Sequence, residues 1–183
     1  YLEKERDRGN VEDFTSFFIS NVLYVKGKKE VIENIAYRSE VEKIFKNREY
    51  RLEEPIIENE EISLSAVGVE WNIERVRANE VWQMDIDGTG AVVGILDSGV
   101  DWNHSALKHK WRGYNPVTGD TSPNGNWHDP VYGAGLPADS GGHGTHVMGT
   151  IVGQEPDGSN KIGVAPGSQW IGVRVYDDFG STS

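Results

Sequence analysis

The pattern of apolar and polar positions changes character along the chain. Residues 1–13 are dense in charge and predict a short helix ending near Gly9-Asn10. Thr15 to Ile19 is aromatic and β-branched, which predicts a strand. Ser20-Asn21 can turn the chain, so that Val22 to Lys26 returns as a hairpin partner. Between Lys28 and Arg38, Val31, Ile32, Ile35 and Ala36 fall on one helical face. Glu40 to Phe45 sets charges against Val41, Ile44 and Phe45 and predicts a short strand. Residues 46–66 then hold six glutamates, a proline and no glycine, the composition of an extended, solvated connector.

Past residue 67 the pattern is different. Ala91 to Leu96 is an unbroken, mostly apolar run, which predicts a strand buried on both faces of a parallel sheet. It stops at Asp97-Ser98-Gly99. Residues 103–140 are rich in Gly, Pro, Asn and Asp and form a long loop, in which Trp111, Tyr114, Trp127 and Tyr132 are expected to act as anchors. A helix is predicted over 143–153, and an apolar strand from Trp170 ends at Tyr176. Asp85 to Gly90 reads as a polar turn. Strands alternating with helical stretches place this part in the α/β class, with a parallel sheet.

Composition sharpens the division. Only Gly9 and Gly27 precede residue 67, while the other 20 glycines follow it, and all six tryptophans lie after residue 70. The formal net charge of −11 argues against a nucleic-acid surface, and no apolar run is long enough to span a membrane. With no cysteine, disulfides, thiolate metal sites and cysteine nucleophiles are excluded. No charged-then-apolar leader follows Tyr1, so the start of the natural protein is expected to lie upstream.

Two stretches carry candidate chemistry. The first is Asp97, at the carboxyl end of a strand, where open α/β sheets gather function. The second is Ser140-Gly141-Gly142-His143-Gly144-Thr145-His146-Val147, a histidine among glycines at a helix start. A histidine held there is placed for proton transfer near neutral pH. A glycine turn after a strand and a glycine-rich helix entry explain either stretch alone without chemistry. A metal is a third reading, since His143 and His146 lie three apart on one helix, but no Glu follows His143 to complete a His-Glu-x-x-His pattern. An Asp-based phosphotransferase is disfavoured because Asp97 lacks a second carboxylate two positions on. His104, His109 and His128 read as surface histidines.

Together, Asp97-Ser98-Gly99 after an apolar strand and His143-Gly144-Thr145-His146-Val147 resemble the aspartate and histidine motifs of the subtilisin-like serine proteases, the subtilases, in that family's order. The likeness continues through Gly163-Val164-Ala165-Pro166 and Trp170 to Val175 and covers nearly the whole chain. It implies a serine endopeptidase acting on polypeptides, with Asp97 orienting His143 and His143 as the base. It further implies that residues 1–50 are an inhibitor-type α+β propeptide unit lacking its first strand, that 51–66 are an acidic linker, and that 67–183 are the N-terminal part of an incomplete parallel-sheet domain with helices on both faces. The propeptide's tail is then expected in the substrate cleft before processing, as in a secreted zymogen. The family's Gly-Thr-Ser-Met-Ala type nucleophile motif is not found in these residues; Gly180-Ser181-Thr182-Ser183 reads as a turn, and the nucleophile is expected beyond Ser183. The chain alone is therefore expected to be inactive, with a propeptide inhibitor, folding module or degenerate binding protease as the non-catalytic alternative. Family members often bind calcium through an Asp nine residues after the catalytic Asp; Ala106 stands there, and the loop from Gln154 to Lys161 also departs from the usual ligand loop.

Overall fold

A computed structural model describes residues 1–18, 20–52 and 69–182. The chain forms two compact units, Tyr1–Arg48 and Glu49–Ser183. Most of the expected acidic linker, including Glu53, Glu54 and the Glu58–Glu61 cluster, falls outside the described residues, as does the start of the second region at Val67.

In the first unit, helix α1 (Leu2–Asp7) leads into strands β1 (Val11–Phe17) and β2 (Val22–Gly27) and helix α2 (Lys29–Ala36). The hairpin is antiparallel, with Phe14 opposite Val25 and Phe17 opposite Val22, and Asn21 takes the left-handed conformation its turn requires (φ 51°). β1 begins four residues before the expected Thr15. Glu12 and Asp13 hid it, because they occupy solvent-facing positions while Val11 is buried. Val11, Val31 and Ile35 form the small core, joined by Leu2, Phe14, Val25, Ile32 and Val41. The strand expected over Glu40–Phe45 does not form. Only Val41 reaches the core; Ile44 and Phe45 are exposed, so the alternation has no face to bury.

The second unit holds helices α3 (Trp71–Arg75) and α4 (Ala78–Trp82), then β3 (Val92–Asp97), α5 (Ser105–Lys108), β4 (Trp127–His128), α6 (His143–Val152) and β5 (Gln169–Arg174). Among the described residues the strands form one parallel sheet in the order β3-β5-β4. This is the α/β architecture the sequence implies. The 85–90 turn is present, with the Asp87 carboxylate accepting from both the N–H and the hydroxyl of Thr89.

Register decides which side chains work together. Val93 pairs with Trp170, Ile95 with Gly172 and Asp97 with Arg174, and in a parallel pair such partners share a face. That face carries the core: Val100, Leu107, Trp111, Trp127, Met148, Val152 and Trp170, with Val93 and Ile95 packed against it. Trp170 stacks on Trp111 with ring centroids 6.0 Å apart, and its Nε1–H donates to the Leu107 carbonyl at 2.8 Å. The long loop is anchored as expected by Trp111 and Trp127, while Tyr132 is half exposed. The opposite face of β3, expected to be buried as well, is open: Leu96 is 69% exposed and Val92 41%, so among the described residues this strand is covered on one side only.

All six tryptophans belong to the second unit, so their fluorescence reports its unfolding alone. Replacing Trp170 by Ala should cost about 3–5 kcal/mol in urea unfolding, whereas Leu96→Ser, on the open face, should cost less than about 1 kcal/mol. Equal losses at the two positions would contradict the one-sided core.

Candidate active site

Asp97 is the last residue of β3 and His143 the first of α6. Although 46 positions apart, their side chains meet, with His143 Nδ1 2.7 Å from Asp97 Oδ1. An ionised carboxylate only accepts hydrogen bonds, so Nδ1 is the donor to it, and in the neutral imidazole Nε2 then keeps its lone pair free. Asp97 Oδ1 also accepts the Ser98 N–H at 2.6 Å. The Asp97 side chain is 11% exposed and that of His143 34%, so the carboxylate is covered while the imidazole stays reachable.

Helix geometry explains how the pair is held. The first N–H groups of any α-helix lack intrahelical partners. The N-cap of α6 is Gly142, which offers no side chain. Two neighbours supply the missing acceptors. Ser98 Oγ accepts the Gly144 N–H at 3.0 Å, and Asp139 accepts the Thr145 N–H at 2.9 Å. Asp139 also takes the Thr145 hydroxyl, the Gly142 N–H and the Ser98 hydroxyl. Thr145 Oγ1 in turn accepts the Asp101 N–H at 2.9 Å. The residue next to Asp97 thus caps the helix that carries His143. The close approach needs glycine at 144, where a Cβ would collide with the Gly99 carbonyl oxygen and press on Asp97.

Of the residues singled out from the sequence, Asp97 and His143 are brought together. His146 is exposed and makes no part of the pair. His104 and His128 are surface residues, His104 capping α5 by accepting the Ala106 N–H. His109 is not a plain surface histidine. It is partly buried, burial pushes its pKa down, and among the described residues its Nδ1 has no partner. Asp139, Ser98 and Thr145 were missed. The signal for Asp139 was an acidic residue just ahead of a helix whose own cap is glycine.

The calcium ligation that the resemblance suggests does not fit these residues. Ala106 is buried in α5 and offers no side-chain ligand, and its carbonyl accepts the Gln154 N–H. Nearby, the buried ammonium of Lys110 donates to the Pro166 carbonyl and to Gln154 Oε1, and burial pushes its pKa down. A cation of the chain's own therefore already holds the side-chain oxygen of Gln154, the first residue of the loop from Gln154 to Lys161. Among the described residues no group of three His, Asp or Glu side chains is placed to hold a metal.

With this geometry in place, comparison with known proteins is direct. A sequence model of the subtilase family matches residues 88–183, which include both Asp97 and His143. Bacillopeptidase F of Bacillus subtilis is 43% identical over 188 residues, covering the whole chain and 13% of that protein. The chain belongs to the subtilase family. Fervidolysin of Fervidobacterium pennivorans is 34% identical over 109 residues, 59% of the chain and 14% of that protein. The minor extracellular protease Vpr of B. subtilis is 28% identical over 166 residues, 89% of the chain and 18% of that protein. The chain therefore spans less than a fifth of the length of each of these relatives. No helix among the described residues is long and apolar enough to cross a membrane.

The Asp139 network makes stability depend on pH. Burial raises the Asp139 pKa, but hydrogen bonds from Thr145, Gly142 and Ser98 outweigh it and hold the carboxyl below its ordinary value. A carboxylate depressed in this way contributes stability above its unfolded pKa and loses it as pH falls through the folded one. Asp139→Asn should thus cost about 1–3 kcal/mol at neutral pH. The gap to the parent should close as the pH falls below the unfolded value of about 3.9. Urea unfolding across pH 2–7 checks this, and a gap that stays constant to the acid end would contradict it.

Proposed function

We propose that this chain supplies the aspartate and the histidine of an Asp-His-Ser triad in a secreted serine endopeptidase. Asp97 orients His143 and stabilises its imidazolium, and His143 Nε2 takes the proton of an attacking serine hydroxyl. A hydroxyl is a poor nucleophile at neutral pH until a neighbouring base removes its proton. The observation that carries this reading is the 2.7 Å contact between His143 Nδ1 and Asp97 Oδ1, with each residue at the end of a regular element. The nucleophile and the side-chain donor of the oxyanion hole are assigned to residues outside the Asp97 and His143 motifs. Substrates are polypeptides. The non-catalytic alternative predicts no loss of function on changing His143.

Residues 1–50 act as an inhibitory propeptide whose tail lies in the substrate cleft. Main-chain pairing within the second unit, between the residues that follow Arg48 and its far end, supports that reading. Arg51 bridges antiparallel to Ser181, Leu52 N–H donates to the Gly180 carbonyl at 2.8 Å, and Thr182 N–H donates to the Tyr50 carbonyl at 2.9 Å. An extended segment held by main-chain hydrogen bonds along a short edge is the geometry of a bound peptide.

In the full-length protein, His143→Ala should reduce peptide hydrolysis by several orders of magnitude, and Asp97→Asn by about 10⁴-fold through loss of the correct tautomer. His146→Ala should act only through packing. Full activity in the His143→Ala protein would overturn the assignment. Maturation should cut within about residues 46–70, where a glutamate-rich, glycine-free stretch of sequence joins the two regions. N-terminal sequencing of the mature enzyme reads this directly, and a terminus within 22–45 would contradict the propeptide reading.

A further inference from the structure

Arg174 is the last residue of β5, directly opposite Asp97 in the parallel register. The two side chains therefore leave the sheet on the same face, next to each other. Arg174 is nearly inaccessible, its side chain 4% exposed. A buried arginine is costly unless its charge and its five donors are used. Here they are distributed over three separate segments. Nε donates to the Ser98 carbonyl at 2.8 Å, one residue past Asp97. Nη2 donates to the Ala138 carbonyl at 2.6 Å, one residue before Asp139. Nη1 lies 3.6 Å from Asp129 Oδ2, and the guanidinium carbon sits 5.1 Å from the centre of the Tyr132 ring.

Asp129 is a fixed counter-charge. Its side chain is fully buried, and it accepts the N–H groups of Val131, Tyr132 and Ala134 at 3.0, 2.9 and 3.3 Å. The turn that holds Asp129 therefore fixes where the guanidinium can sit. The fork then reaches the two loops that matter to the Asp97–His143 pair. One leaves Asp97; the other enters α6 through Asp139. At Gly99 these loops touch backbone to backbone, since a Cβ there would collide with the Ala138 carbonyl oxygen.

We propose that Arg174, held by Asp129, is a positioning residue for the Asp97–His143 pair. It ties the segment that carries the acid to the segment that carries the base through one rigid planar group. The proposal rests on the reading of Asp97 and His143 as orienting acid and base. A lysine at this place keeps the charge near Asp129, but its ammonium is a compact point donor without a planar fork. With the fork lost, the two loops can shift relative to each other. A misplacement of about 1 Å at a catalytic pair can cost about 10²-fold in rate.

The test uses the full-length protease with a peptide substrate, comparing the parent with Arg174→Lys, Arg174→Ala and His143→Ala. Arg174→Lys should fold with an unchanged circular-dichroism spectrum and lose about 10- to 100-fold in kcat, with KM changed by less than about threefold. Arg174→Ala should lose at least as much, and millimolar ethylguanidinium should restore kcat where ethylammonium does not. A residue that only stabilises the fold would show neither the kcat-selective loss nor the shape-selective rescue. Should Arg174→Ala fail to fold, the charge-neutral pair Asp129→Asn/Arg174→Met replaces it and should show the same kcat-selective loss. Folded Arg174→Lys and Arg174→Met/Asp129→Asn proteins with kcat within about twofold of the parent would overturn the proposal, as would a loss confined to KM. The His143→Ala arm separates the two readings. If that variant is inactive while the Arg174 variants are not, positioning fails alone; if it stays active, the acid–base reading fails.

Discussion

The amino end of α6 meets the loop leaving β3 with no side chain between them at Gly144, and the rest of the second unit is arranged around that contact. Helix N–H groups that would otherwise be unsatisfied find acceptors in Ser98 and Asp139. The same contact brings the His143 ring onto the Asp97 carboxylate. Capping and chemistry are thus one interaction: the hydroxyl next to Asp97 holds the helix that presents His143. Each element is rigid for its own reasons, β3 through its pairing with β5 and α6 through Met148 and Val152 in the core.

The aromatic core sits beneath this contact on the same face of the sheet. Trp170 stacks on Trp111, Trp102 meets Trp111 at a tilt of 56°, and Trp170 donates to the Leu107 carbonyl in α5. Further along the same face, apolar residues give way to Asp97 and Arg174. The polar end of the face is where the loops converge, as expected at the carboxyl ends of parallel strands. Packing therefore supplies the floor of the site, and buried charge with hydrogen bonds fixes its upper layer.

Much of this was legible in the sequence because it depended on local patterns. The apolar run before Asp97, the glycines around His143 and the aromatic-rich long loop each announce themselves. What stayed hidden depended on contacts between distant segments. Asp139 looks like an ordinary loop acid until its acceptors are seen to cap a helix whose N-cap is glycine. Arg174 ends an apolar strand and gives no hint that it sits opposite Asp97 until the register is known. β4, only Trp127–His128, is too short to show a period. The strand expected at Glu40–Phe45 had the right alternation but no partner face to bury it, and β1 began earlier than expected because its first exposed positions are charged. Periodicity reports what a segment can bury, while tertiary contact decides whether it does.

The central claim is that Asp97 fixes one tautomer of His143. Nitrogen NMR of ¹⁵N-histidine-labelled protein tests it most directly, since protonated and unprotonated ring nitrogens resonate apart. In its neutral form, His143 should show a protonated Nδ1 and a bare Nε2, a pattern that changes in Asp97→Asn and is absent from exposed His146. A His143 ring with its proton on Nε2, or one averaging between tautomers in the same way as His146, would contradict the account.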